Sequence, residues 1–251
     1  MQEHHRKTIQ RLVEALEDDP RYLDIIVDGS IAKGREKATS DVDILLVATD
    51  VEFARRSCDV DLWYHNDEVA DYPGGYVDGY VVNRQFLVDV ADHGSEPARA
   101  AFRGAFVPDA RIPDLAALLA RISVYPEHER REKITAFYSQ LALLKGFVAE
   151  GEARDDPYLL RWAATDMVFY GSRLILAHNR ILYPWRKWLM DEVTHAPNRL
   201  LTQPSKEAAT DFWECVQTFR DWGVTYETAV SQFILNVEWG CHEGHAPLAE
   251  R

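Results

Sequence analysis

The sequence lacks the features that mark secreted, membrane-spanning and nucleic-acid-binding proteins. Its 251 residues include only three cysteines, and an odd number so widely spaced does not predict a disulfide framework. No apolar run approaches the roughly 18 residues that a membrane-spanning helix needs, and the opening MQEHHRKTIQ has no signal-peptide hydrophobic region. We therefore expect a cytoplasmic protein with no membrane partner.

Basic residues are also scarce. Lys and Arg number 28 against 41 Asp and Glu, which makes the net charge −13. Residues 1–110 carry −10 of this charge and residues 111–251 carry −3. A protein that binds along a nucleic-acid backbone usually presents a basic face, and none is visible, so no nucleic-acid partner is expected. The acidic first half suits a cationic small substrate, and solubility alone explains the charge equally well.

The hydrophobic pattern changes from strands to helices along the chain. Strands are predicted at 24–27, 43–48, 60–65 and 76–83. Helices are predicted at 3–18, at 52–57, from Ser95 onwards, and at 115–122, 134–148, 156–178, 205–221 and 225–239. This order predicts the α+β class, with an N-terminal α/β domain containing a mixed sheet at residues 1–110 and an all-helical C-terminal bundle at residues 111–251.

The stretch from residue 24 to residue 49 combines the parts of a phosphate and metal site. If a helix starts near Ser30, its free N–H groups form an anion pocket, and Gly29 lets a phosphate approach the backbone. Asp41 and Asp43 open the next apolar run, and at strand spacing they point to one face about 7 Å apart. Two such carboxylates repel unless a cation lies between them, and Mg²⁺ takes oxygen ligands while leaving positions for phosphate oxygens. An isolated acid pair is also common on solvent-facing strands, but the Gly-Ser element upstream favours metal binding.

This stretch also carries a family resemblance. Gly29-Ser30, ten intervening residues and Asp41-Val42-Asp43 followed by ILLV resemble the signature of the DNA polymerase β-like nucleotidyltransferase superfamily. The whole chain is similar to small bacterial members that pair a nucleotidyltransferase domain with a C-terminal helical domain. Antibiotic nucleotidyltransferases that act on aminoglycosides and lincosamides belong to this group. The resemblance implies transfer of a nucleoside monophosphate, with ATP as the default donor.

A third carboxylate normally completes such a site, and two residues are candidates. Asp78 lies in the middle of a predicted strand among apolar neighbours, where an unpaired charge would be costly. Its GGYVDG context also resembles the later strand of the family. Asp61 in VDLWYH is the alternative, and a site with no third acid is another. We expect Asp41, Asp43 and Asp78 to be the metal ligands and catalytic residues.

Cationic side chains are the remaining candidates for the nucleotide site. Lys33 and Arg35 follow Gly29-Ser30 in the same connection. Each side chain either approaches the triphosphate or lies on the protein surface. We assign Lys33 to nucleotide binding. Lys187, in the NRILYPWRKW segment of the helical domain, is expected to neutralise triphosphate charge from across a cleft. A plain surface lysine is the alternative interpretation of Lys187.

These residues predict a Mg²⁺-dependent nucleotidyltransferase. Two Mg²⁺ ions would bridge the acids and ATP or another nucleoside triphosphate, and a hydroxyl of a small acceptor would attack the α-phosphate and release pyrophosphate. An aminoglycoside- or lincosamide-like antibiotic is one such acceptor. Three alternatives stay open: a glycosyltransferase that uses its acid pair for a sugar nucleotide, a non-catalytic binding or antitoxin-type module, and nucleotidyl transfer to a protein hydroxyl. The oligomeric state is not predicted.

Overall fold

The computed structural model describes residues 1–196, and the helices predicted at 205–221 and 225–239 lie outside them. The chain forms two compact units, Met1–Val124 and a second one that starts at Tyr125. The domain limit predicted at residue 110 stays a prediction, because compactness does not show where an independently folding domain ends. No helix within residues 1–196 has the length and apolar character needed to cross a membrane.

The first unit alternates helices with the strands of a single sheet. Its helices are α1 (Glu3–Leu16), α2 (Gly29–Ala32), α3 (Asp50–Cys58), α4 (Arg84–His93), α5 (Glu96–Ala101) and α6 (Leu115–Ile122). Its strands are β1 (Tyr22–Val27), β2 (Val42–Ala48), β3 (Trp63–Asn66) and β4 (Val77–Asn83). The four strands lie in the order β1-β2-β4-β3. Strand β2 pairs parallel with β4, whereas β1 and β3 pair antiparallel with their neighbours. The predicted mixed sheet is confirmed.

Helix α1 covers one face of the sheet. Its apolar residues Ile9, Leu12 and Leu16 pack with Ile44 and Leu46 of β2. These positions recur every three or four residues in the helix and every second residue in the strand, so each element presents one apolar side to the other.

Helices α4 and α6 cover the opposite face. Leu45 and Val47 point to this side of β2 and belong to one buried cluster with Leu87 of α4 and Ile122 of α6. At the starts of β2 and β4 the same face carries acidic side chains instead of apolar ones, which ends the packed layer there.

The second unit is helical over the part of it that the structure describes. It contains α7 (Arg130–Ala153), α8 (Pro157–His178) and α9 (Leu189–His195), with short 3₁₀ turns at Glu127–Glu129 and Arg186–Trp188. The predicted start of α8 is confirmed, because the Asp156 side chain accepts hydrogen bonds from the N–H groups of Tyr158 and Leu159, and Pro157 occupies the first turn.

The third strand, β3, is shorter than the strand predicted at 60–65 and begins later in the sequence. Val60 has a φ of 54°, in the left-handed region, and the Asp61 N–H donates to the Arg56 carbonyl at 2.9 Å. Residues 60 and 61 therefore belong to the turn that ends α3. The alternating pattern of VDLWYH cannot reveal this turn, since its residues alternate in the same way whether or not they pair with a neighbouring strand.

Replacing Leu46 by Ala should lower the free energy of unfolding by about 2–5 kcal/mol, because it leaves a cavity at a fully buried position between the sheet and α1. Leu23→Ala is the matched control, since Leu23 lies on β1 with 37% of its surface exposed, and its effect should be clearly smaller. Urea denaturation followed by circular dichroism measures both. Equal losses would contradict the packing described for β2.

Candidate functional site

Three carboxylates lie together where β2 and β4 begin. One oxygen of each of Asp41, Asp43 and Asp78 lies within 4.8 Å of the other two, and all three residues are partly exposed. Within residues 1–196 this is the one group of three or more potential metal-ligating side chains at such a distance. The structure therefore brings together the three acids that the sequence analysis selects.

The parallel pairing of β2 and β4 produces this cluster. Asp43 and Asp78 are direct partners in the register, so their side chains stand on the same face of neighbouring strands about 4.8 Å apart. Asp41 precedes β2 by one residue and Asp43 by two, which turns it to the same side.

Asp61, the other candidate for the third acid, lies elsewhere. Its carboxylate accepts from the Arg56 guanidinium at 3.0 Å, and its side chain is largely exposed. Because Asp61 falls in the turn after α3, it has no place in the register beside Asp43. The structure thus groups Asp78, and not Asp61, with the other two acids, while their catalytic and metal-binding roles stay predictions.

Crowding of like charges disfavours ionisation of the cluster. Burial, together with the charges of Asp41, Asp78 and Asp28, raises the pKa of Asp43 from 3.8 to about 6, although a hydrogen bond from the Ser30 backbone N–H opposes the shift. Burial and the Asp41 charge also raise the pKa of Asp78. A cation between the carboxylates would remove this repulsion.

Neighbouring aromatic side chains donate hydrogen bonds to two of the acids. The indole N–H of Trp63 on β3 donates to Asp78, and the Tyr76 hydroxyl donates to Asp41. His65, the β3 partner of Asp78, also lies close enough to lower its pKa. The sequence pattern alone does not single out these residues. For Tyr76 a signal existed, since it stands two residues before Asp78, but the positions of Trp63 and His65 depend on the β3–β4 register.

Both the backbone conformation at position 29 and the lack of space beside it require a glycine there. Its φ is +67°, and a Cβ at this position would collide with the Asp43 carboxylate. Helix α2 is a single turn that starts here, so its dipole is small, and its Ser30 N–H already binds Asp43. The Ser30 hydroxyl is buried and has no hydrogen-bond partner among the described residues. A hydrogen bond to this hydroxyl would remove the cost of leaving it unsatisfied.

The predicted cationic residues Lys33 and Lys187 lie one in each unit. Lys33 donates to the Asp28 carboxylate at 3.0 Å and to the Ala101 carbonyl at 2.9 Å, so in this structure it ties α2 to α5. Lys187 is exposed in the second unit, with its ammonium 5.4 Å from the centre of the Trp188 ring. Nucleotide binding by Lys33 and Lys187 stays a prediction.

The donor set fits a hard divalent cation. It consists of carboxylate oxygens, the ligands that Mg²⁺ and Mn²⁺ prefer, and it contains no Cys or His of the kind that Zn²⁺ favours. The partly exposed positions leave room for oxygens from water or a phosphate to complete the coordination. The three carboxylates can therefore hold a divalent metal ion.

Comparisons with known proteins do not identify a family for this chain. No family model matches the sequence, and no curated protein matches it either. Among solved structures, the chain is similar to a nucleotidyltransferase-like protein from Exiguobacterium sibiricum 255-15, with 12% identity over 93% of this chain and 75% of that one. The TM-score is 0.43. This likeness is too weak to indicate a function, so the evidence for function comes from the site itself.

The raised pKa of Asp43 predicts a stability change in metal-free buffer. Because the folded state favours the protonated form, this residue's contribution to stability is full below pH 3.8 and is lost as the pH rises through about 6. Asp43→Asn should therefore raise the unfolding free energy by about 2–3 kcal/mol at pH 7.5 and by progressively less as the pH falls from 6 towards 4. Urea denaturation with EDTA at several pH values measures it.

Asp67→Asn is the control for this experiment, since Asp67 is an exposed acid in the turn after β3. It should change the unfolding free energy by less than about 0.5 kcal/mol at each pH. An Asp43→Asn variant no more stable than wild type at pH 7.5 would show that the acids are not crowded as described.

Proposed function

We propose that this protein is a Mg²⁺-dependent nucleotidyltransferase that moves a nucleoside monophosphate, by default AMP from ATP, to a hydroxyl of a small molecule and releases pyrophosphate. The observation that supports the proposal best is the grouping of Asp41, Asp43 and Asp78 within 4.8 Å of one another. The resemblance of Gly29-Ser30 and the Asp-Val-Asp segment to the DNA polymerase β-like superfamily supports the same reaction. An antibiotic of the aminoglycoside or lincosamide kind is among the acceptors we propose.

The proposed reaction is a direct displacement. The acceptor oxygen forms a bond to the α-phosphorus of the triphosphate while the bond to the bridging oxygen of the β-phosphate breaks, and the pyrophosphate leaves with that oxygen's electron pair. The acceptor hydroxyl loses its proton to a nearby base or to water. Magnesium, when bound, would supply charge for both the attacking and the leaving oxygen.

The residues of this chain would hold and orient the reactants. Asp41 and Asp43 would bind both ions, and Asp78 would bind the one beside the acceptor hydroxyl. The Ser30 hydroxyl would donate a hydrogen bond to a phosphate oxygen, which would satisfy a buried group that otherwise lacks a partner. Most of the rate enhancement would come from positioning and from charge neutralisation.

The strand order supports an orientation for the two substrates. Ser30 lies against Asp43 on the β2 side of the cluster, whereas Trp63 and His65 flank Asp78 on the β3 side. The rings of Trp63 and His65 stack with centres 5.2 Å apart, and Trp63 is 58% exposed. We therefore assign the triphosphate to the Ser30 side and the acceptor to the Trp63 side, where an exposed indole face can stack on a ring.

Calorimetric titration with ATP, GTP, CTP and UTP tests the proposal. At least one triphosphate should bind in the presence of Mg²⁺, and EDTA should abolish that binding. An Asp41→Asn/Asp43→Asn double variant should lose it, because the remaining carboxylate cannot hold the ions that bridge to the phosphates. If no triphosphate binds to folded wild type, catalysis is contradicted and the non-catalytic module is favoured. Binding unchanged in the double variant would place the site elsewhere.

Asp78→Asn and Asp61→Asn form a matched pair for the third acid. Electron paramagnetic resonance counts the Mn²⁺ ions bound in the presence of a non-hydrolysable ATP analogue. Asp78→Asn should lose one of the ions, while Asp61→Asn, which changes an exposed acid paired with Arg56, should keep the wild-type number. The reverse result would assign the third ligand to Asp61.

A further inference from the structure

Asp41 is the acid that the sheet restrains least. Asp43 and Asp78 lie inside paired strands, whereas Asp41 precedes β2 and follows the connection from residue 33 to residue 40, which has no helix or strand. Repulsion among three carboxylates is relieved most easily where the backbone is least constrained. In addition to the Tyr76 hydroxyl, which contacts its carboxylate, Asp41 has a second contact outside the paired strands.

The Ser40 carbonyl, directly before Asp41, provides that contact. The Tyr72 hydroxyl donates to it at 2.7 Å, and Nε2 of His5 contacts the same oxygen at 3.1 Å. A carbonyl only accepts, so Nε2 must carry the proton in this pair. Burial, together with the neighbouring His4, lowers the pKa of His5. Two side chains distant in sequence thus converge on one peptide group.

Both donors are held firmly. His5 is completely buried in α1, and its ring lies edge-on to the Tyr72 ring with centres 5.2 Å apart. The Tyr72 ring also contacts His4, with centres 4.3 Å apart. Gly75 also lies against the tyrosine ring, where a Cβ would come within 2.5 Å of a ring atom. Tyr72 is also close enough to Asp41 for the carboxylate charge to raise its pKa.

We infer that Tyr72 and His5 are positioning residues for the metal site: by holding the Ser40 carbonyl, they keep Asp41 in the geometry that binds the ion. The inference rests on the proposed function, since it assumes that Asp41 is a metal ligand. The hydrogen bonds of both residues go to the Ser40 carbonyl. Both act through the peptide group that precedes the ligand, as supporting residues around metal sites commonly do.

Binding of Mn²⁺ alone, measured by electron paramagnetic resonance, tests the inference without a known acceptor. Tyr72→Phe keeps the ring and removes the hydroxyl, so Mn²⁺ should bind about tenfold more weakly. Tyr22→Phe is the matched control, because it also removes a hydroxyl from a buried ring, one that accepts a hydrogen bond from Arg56 at 2.8 Å. Tyr22 pairs with Ala48, at the end of β2 away from the acids. The control should bind Mn²⁺ as wild type does.

A double-variant cycle separates positioning from general destabilisation. If Tyr72 acts through Asp41, Tyr72→Phe should weaken Mn²⁺ binding much less in an Asp41→Asn background than in wild type. Thermal unfolding of each variant shows whether its fold is intact. If Tyr72→Phe does not fold, His5→Gln and His5→Leu replace it: glutamine keeps a donor at similar reach and should retain more affinity than leucine.

The outcomes distinguish this inference from the proposed function. Wild type that binds no Mn²⁺ would overturn both. Wild type that binds Mn²⁺, together with equal affinities for Tyr72→Phe and Tyr22→Phe, would overturn the positioning role alone. Additive effects of Tyr72→Phe and Asp41→Asn would also overturn it, since they would show that the tyrosine does not act through Asp41.

Discussion

Mutual repulsion of three carboxylates is the constraint on which the site of this protein depends. Asp41, Asp43 and Asp78 stand within 4.8 Å of one another, close enough to raise the pKa of Asp43 to about 6. Such crowding persists only if the surrounding backbone cannot move. Parallel strands β2 and β4 supply that rigidity for two of the acids, because their backbones are paired along seven residues, with packed helices on both faces.

The third acid depends on parts of the chain that are distant in sequence. Asp41 lies before its strand, and the peptide group in front of it is held from α1 through His5 and from the loop before β4 through Tyr72. Helix α1 therefore has two roles, since its apolar side covers the sheet while its first turn contacts the loop that carries a candidate ligand. Gly29 belongs to the same arrangement, because a side chain there would displace the Asp43 carboxylate.

Much of the fold follows from local pattern, and the exceptions have identifiable physical reasons. Asp156 and Pro157 mark the start of α8 in the sequence and in the structure because capping is a local interaction. The third strand begins later than predicted because Val60, in the left-handed region, and Asp61 belong to the turn after α3, which an alternating pattern does not reveal. Lys33 pairs with Asp28, a partner that spacing alone does not identify, and its assignment to a triphosphate stays a prediction.

The sequence by itself determined the α+β class, the Gly-Ser element and the Asp-Val-Asp pair, since each depends on residue type and short-range spacing. Only the tertiary structure placed Asp78, and not Asp61, beside the other two acids, because that placement depends on which residue of β4 pairs with Asp43. It also revealed Trp63 beside Asp78 and Tyr72 on the Ser40 carbonyl. Strand register and contacts between distant segments arise from the packing of the whole unit, and no short stretch of sequence contains them.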